Sequence, residues 1–198
     1  MNLLRIIKHP AFEWTLLLGI PAILYLTGWH TETIGGLQRM ILATGIIKAD
    51  TEQNQTDSSP DADYNVNLQT LDGKDISLKE LKGKVIFMNI WATWCPPCIA
   101  EMPGIQKLYE QVKSEDIAFV MISVDENPAK AQKFIKRKEY TFPVYQLTSK
   151  AIPQMYASES IPVTFVISAS GKLVLKHSGM ADYNSDAFRD FLRSQVSK

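Results

Sequence analysis

The 198-residue chain is poor in cysteine and histidine and carries no net charge. Its 21 basic residues balance its 21 acidic ones. No long-range field therefore draws it to nucleic acid or to an acidic surface, and no nucleic-acid partner is expected. Two cysteines, Cys95 and Cys98, exclude a multi-disulfide scaffold. A structural zinc site wants about four Cys, His or acidic ligands. The histidines are His9, His30 and His177, and the first two fall in the N-terminal segment, so no metal site is expected. No arginine occurs between Arg39 and Arg137, and no internal repeat is visible. What remains is an ordinary globular balance, 45% hydrophobic and 21% charged.

Charge is also missing from Trp14 to Trp29, WTLLLGIPAILYLTGW, behind Arg5 and Lys8. A helix of that length reaches about 24 Å, somewhat short of a hydrocarbon core of about 30 Å. Trp14, Tyr25 and Trp29 suit the two interfaces, and Pro21 kinks such a helix without forbidding it. The segment reads as a retained signal anchor. A cleaved signal peptide and a buried soluble helix are the competing readings, and no clean small-x-small cleavage site follows Trp29. Basic residues ahead of the span place the N-terminus in the cytoplasm and the rest outside, at the cell membrane and facing the periplasm. In residues 33–48, Leu37, Met40, Ile41, Thr44 and Ile47 recur at helical spacing, with Gln38 and Arg39 off that face. This fits either an amphipathic helix on the membrane or one packed against the span or the domain. Residues 1–48 thus form an anchor region. Residues 49–62, ADTEQNQTDSSPDA, hold no large apolar side chain and read as a flexible tether.

From 63 to 198 strands and helices alternate. Tyr64–Leu71 alternates and ends at Asp72-Gly73, a turn signal. Lys84–Trp91 and Ile117–Val124 are short apolar runs, expected as buried central strands. A helix is expected from about Cys95 with Ile105, Leu108, Tyr109 and Val112 inward, and another from Asn127-Pro128 with Ala131, Phe134 and Ile135 inward. Pro162–Ile167 and Lys172–His177 flank Ser170-Gly171 as a hairpin. Asn184–Val196 reads as a closing helix with Ala187, Phe188, Phe191 and Leu192 inward. The fold class is α/β, a central mixed sheet with helices on both faces.

The chemistry sits at Cys95-Pro96-Pro97-Cys98. With a helix starting at Pro96, Cys95 is its N-terminal cap, and the positive helix end favours a thiolate there. Cys98, one turn later, can attack a mixed disulfide formed at Cys95. A purely structural bridge over so short a loop would restrict little of the unfolded chain. Pro96 and Pro97 have no N–H to offer the first sulfur, which predicts a moderately stabilised thiolate and a reductant or isomerase over a strong oxidant. Trp94 is expected as an exposed apolar contact surface for partners, and Trp91 as core. The basic run Lys130, Lys133, Lys136, Arg137 and Lys138 reads as a solvated helix face, and Asp125-Glu126 as loop and cap residues.

The segment Asn89–Cys98, extended by Ala100-Glu101-Met102-Pro103, resembles the active site of the thioredoxin superfamily, and most of all the membrane-anchored TlpA/ResA-type thiol–disulfide oxidoreductases. Ser160–Phe165 and Ser170-Gly171-Lys172 with Gly179 carry the resemblance further along the chain. It implies a thioredoxin-like fold, protein disulfide substrates, a membrane electron donor and a setting in cytochrome c maturation, with a redox-active disulfide and no cofactor. It also implies roles: Cys95 as exposed nucleophile, Cys98 as resolving thiol, Pro162 as a cis-proline, and Ile161 as a backbone edge for a substrate peptide. Pro103 resembles the proline that kinks the active-site helix. Thioredoxins have a buried aspartate where this chain has Asn89. An amide cannot accept the proton of Cys98, whereas Glu101, one turn on, can. A glutamate that merely complements the helix dipole is the competing reading. Two other functions on the same fold are a copper-binding metallochaperone, which favours wider cysteine spacing and a nearby histidine, and a thiol peroxidase, which needs an arginine near its cysteine.

Overall fold

The computed structural model describes residues 17–19, 29–44, 47, 59–148 and 152–196. Most of the uncharged segment before Trp29, and residues 49–58 of the expected tether, lie outside the described residues. Among the described residues no helix is long and apolar enough to cross a membrane.

The helices with described bounds are α1 (Trp29–Ala43), α2 (Pro96–Val112), α3 (Pro128–Lys138) and α4 (Asp186–Ser194). Seven strands form one sheet: β1 (Asn67–Thr70), β2 (Asp75–Ser77), β3 (Val85–Trp91), β4 (Ile117–Ser123), β5 (Val144–Leu147), β6 (Val163–Ile167) and β7 (Leu173–Ser178). Their order is β2-β1-β5-β4-β3-β6-β7. The β3–β4 and β4–β5 pairs are parallel and the other four antiparallel. The expected mixed α/β sheet is present.

β3 lies inside the sheet between β4 and β6, and all of its residues are buried. Its side chains alternate between faces, as in any strand. Val85, Phe87 and Trp91 join one core with residues of α2, α3 and α4, among them Ile105, Phe134, Phe188 and Phe191. Ile86, Met88 and Ile90 join a second core with Val66, Leu78, Tyr156 and Phe165. The three helices α2–α4 thus share one face, not the two expected from the sequence, because β3, β4 and β5 follow one another in one direction and right-handed crossovers then fall on the same side. The other face is covered by the segment leading into β1 and by single 3-10 turns at Leu78–Leu81 and Gln154–Tyr156.

Several boundaries differ from the sequence reading. The N-terminal helix starts at Trp29 and ends at Ala43, rather than running over 33–48. It stops because Thr44 folds back on the Ile41 carbonyl with both its N–H (3.1 Å) and its hydroxyl (2.6 Å). The last residues of the expected tether are pinned to the sheet. The Leu173 N–H donates to Pro60 O at 2.9 Å, and the Ala62 N–H to Gly171 O at 2.8 Å. Extended backbone needs no apolar side chain to pair with a strand edge, which is why composition missed it. In α4, Ala187 faces outward, while Phe188, Phe191 and Leu192 face in. β2 and β5 were not anticipated, being short strands with mixed side chains. Asn127 caps α3 as expected, its side chain accepting from the Ala129 N–H at 3.0 Å.

Candidate active site

β3 ends at Trp91 and α2 begins at Pro96, so the connection delivers Cys95 to the helix N-terminus. Cys95 is the N-cap, in extended conformation, with Pro96 and Pro97 in the first turn. The two sulfurs are joined as the Cys95–Cys98 disulfide. The Cys98 N–H points at Cys95 Sγ from 3.3 Å. It is the donor left once the two prolines have none to give.

The turn before the cysteines is tied down by Asp125, just past the end of β4. This carboxylate accepts from the Thr93 N–H (3.0 Å), the Thr93 hydroxyl (2.6 Å) and the Ser123 hydroxyl (2.8 Å). It is 5% exposed. The sequence reading placed Asp125 in a loop but missed this role. Adjacent Trp94 stands 56% exposed, whereas Trp91 is fully buried against Phe134.

On the other side of the sulfurs the Ile161-Pro162 bond is cis. It brings the Ile161 carbonyl oxygen to 3.7 Å from Cys95 Sγ. Trp94, Cys95, Pro96 and Ile161 line one open groove of about 460 Å³, together with Pro97, Val124 and Ser158–Ser160. Pro162 lies buried behind it. One expectation needs correction: Cys95 is not openly exposed. It is only 4% accessible, at the groove floor, because Trp94, Ile161 and the prolines wall it in. Cys98 is fully buried.

Glu101 follows Cys98 by one turn of α2, on nearly the same side. It is 1% exposed. Its Oε1 accepts from Asn89 Nδ2 at 2.8 Å, and its Oε2 from the Ala181 N–H at 3.4 Å. Burial pushes its carboxyl up to about 8, against the smaller opposing effect of those two hydrogen bonds. Asn89 also donates to Thr164 Oγ1 at 2.9 Å, which in turn accepts from the Tyr183 hydroxyl at 2.7 Å. Thr164, Ala181 and Tyr183 escaped the sequence reading. Thr164 sits inside the quoted Ser160–Phe165 segment, but Ala181 and Tyr183 carry no local signal. Beside Glu101 opens a cleft of about 270 Å³, bounded by α1 (Arg39, Leu42), by α2 (Gly104, Lys107) and by Asp182 and Asn184.

This geometry can exchange disulfides. A groove, the two sulfurs of Cys95 and Cys98 and a buried carboxyl stand in sequence across one helix end. Comparison with known proteins agrees. The redoxin family matches residues 53–190. The thiol–disulfide oxidoreductase ResA of Halalkalibacterium halodurans is 31% identical over 133 residues, covering 67% of this chain and 76% of that one.

The chain belongs to the redoxin family, as a ResA-type thiol–disulfide oxidoreductase.

A ResA of Bacillus cereus is 38% identical over 109 residues, covering 55% of this chain and 63% of that protein. A crystal structure of a thioredoxin-family thiol:disulfide interchange protein from Chlorobium tepidum superposes with a TM-score of 0.58 at 29% identity, covering 71% of this chain and 99% of that one. The thioredoxin-like fold and the enzyme class expected of this ResA-type chain both hold.

Proposed function

We propose that this oxidoreductase reduces protein disulfides outside the cytoplasm, at the periplasmic face of the membrane that holds its N-terminal span. Cytochrome c maturation is the setting implied by the resemblance. The observation that carries the direction of electron flow is the donor count at Cys95. A strong oxidant needs a very stable reduced thiolate. Here Pro96 and Pro97 offer no N–H, and the Cys98 N–H and the helix field are what remain.

In the reducing direction the Cys95 thiolate attacks a substrate disulfide in the groove. A mixed disulfide forms and one substrate thiolate leaves. Cys98 then gives its proton to Glu101 and attacks Cys95 Sγ. The second substrate thiolate leaves, and the Cys95–Cys98 bond closes with two electrons transferred. Burial raises the Glu101 carboxyl from the ordinary carboxylate range to about 8, which makes it a stronger base towards the Cys98 proton than an exposed glutamate would be. In the oxidised state the neutral carboxyl holds that proton, ready to return to Cys98 when the dithiol is regenerated. A periplasmic dithiol cannot draw directly on cytosolic reductant, so regeneration calls for a membrane electron donor. Trp94 and Pro96 would contact the substrate. The Ile161 backbone, presented by Pro162, would pair with an extended substrate peptide.

The test is the reduction potential of Cys95/Cys98 in the full chain, titrated against defined thiol–disulfide buffers. A value near or below about −250 mV, in the range of thioredoxin, is expected. A value near about −120 mV, that of a strong disulfide donor, would overturn the reductant reading.

A further inference from the structure

α1 has two faces, and the fold uses one of them. Thr31, Gly35 and Leu42 are buried. Gly35 sits so close to the active-site helix that a Cβ there would lie 3.0 Å from the Pro96 carbonyl oxygen and 3.3 Å from Ile99 Cγ2. Glu32 ties the same helix to α3, pairing with Lys138 at 2.8 Å and with Arg137.

The opposite face is bare. Ile34, Leu37, Met40 and Ile41 are 46%, 65%, 69% and 46% exposed. At about 100° per residue they fall within an arc of about 120°, and Glu32 and Arg39 lie outside it. Among the described residues the other large exposed apolar side chains are Leu17 and Leu18, in the uncharged segment, and Trp94 and Val124, in the redox groove. Exposed apolar surface is therefore concentrated in the anchor region and around the groove.

We propose that this face of α1 lies on an anionic lipid bilayer while the inner face stays on α2, holding the redox groove at the membrane surface. Two observations choose lipid as the occupant. The uncharged run ends where α1 starts, at Trp29, so a chain held by that run delivers α1 to the interface. Beside α1, α3 exposes Lys130, Lys133 and Lys136. An apolar stripe with neighbouring cations is the pattern of an interfacial helix on anionic lipid. The inference rests on the anchored reading above, and its consequence is that substrate disulfides are met close to the bilayer.

The test uses the native full chain in phosphatidylcholine/phosphatidylglycerol vesicles containing a trace of phospholipid with a photoreactive acyl chain. After illumination, lipid adducts are mapped by mass spectrometry. Adducts on Leu37 and Met40, many-fold above those on Lys113 at the far end of α2, are expected. Adducts confined to residues before Trp29 would overturn the proposal and leave the anchor standing. Cross-linked dimers joined through α1, with no lipid adducts there, would overturn it in favour of a second copy. A chain stripped from the vesicles by alkaline carbonate would overturn both the proposal and the anchor.

Discussion

At Glu101 the proposed proton transfer and the stability of the fold depend on one carboxyl. Its folded value of about 8 lies above its ordinary 4.5. Below 4.5 the carboxyl is neutral in both folded and unfolded chains, and its contribution is fully favourable. As pH rises towards 8 the unfolded chain releases a proton that the folded chain keeps. Stability then falls by about 1.4 kcal/mol per pH unit across that window. Glu101→Gln removes the ionisation yet keeps an oxygen to accept from Asn89. Denaturant titrations of the oxidised protein are expected to lose this slope between pH 5 and 8. Disulfide exchange by the same variant is expected to slow by about 10²-fold and to lose its inflection near 8. An unchanged pH profile would assign Glu101 to the helix dipole alone. Asn89 explains why a glutamate is tolerated in so dry a place. Its amide spends one hydrogen on Glu101 and the other on Thr164, so the carboxyl is buried with a donor already in position.

At the scale of elements, the contact between α1 and α2 turns on Gly35. A larger residue must push against the Pro96 carbonyl, which is backbone and cannot rotate away. Gly35→Val is therefore expected to loosen α1 while leaving the sheet folded. Hydrogen exchange should rise over residues 31–42 and remain slow in β3 and β4. Equal protection in the variant would mean that the helix re-seats without strain. The sequence disclosed the elements unevenly, for physical reasons. β3 and β4 were readable because strands buried on both faces are unbroken apolar runs. α2 and α3 were readable from their proline and asparagine starts. β2 and β5 were not, because a three-residue edge strand and a four-residue strand held between β1 and β4 are defined by backbone pairing more than by composition. The outward turn of Ala187 was equally hidden, since a small apolar residue is at home on either side of a helix. At the site, Cys95, Cys98 and Glu101 stood in one local motif. Asp125, Thr164, Ala181 and Tyr183 reach it only through tertiary folding, and no spacing rule connects them to residue 95.

In the whole molecule the N-terminal helix α1 and the redoxin domain meet at the cleft beside Glu101. Leu42 and Arg39 of α1 form one wall, and Gly104, Lys107 and Asp182 belong to the domain. The Ile47 carbonyl accepts from the Asp182 N–H at 2.9 Å, closing the same side. The raised value of Glu101 comes chiefly from burial, so whatever covers this side also sets its proton affinity. Removing residues 1–47 takes away α1 and the Ile47 contact but leaves both sheet cores intact, because neither contains a residue of α1. The truncated protein is therefore expected to fold and to exchange disulfides. Water reaching Glu101 from the opened cleft should draw its titration down from about 8 towards the ordinary carboxylate range. Carbon-13 NMR of the Glu101 carboxyl, recorded against pH in the full chain and in the truncated one, reads this directly. A lowered midpoint makes α1 part of the proton machinery, so that seating this helix on a membrane also adjusts the thiol chemistry. Coincident midpoints would mean that the domain buries Glu101 unaided and that α1 serves only to position it.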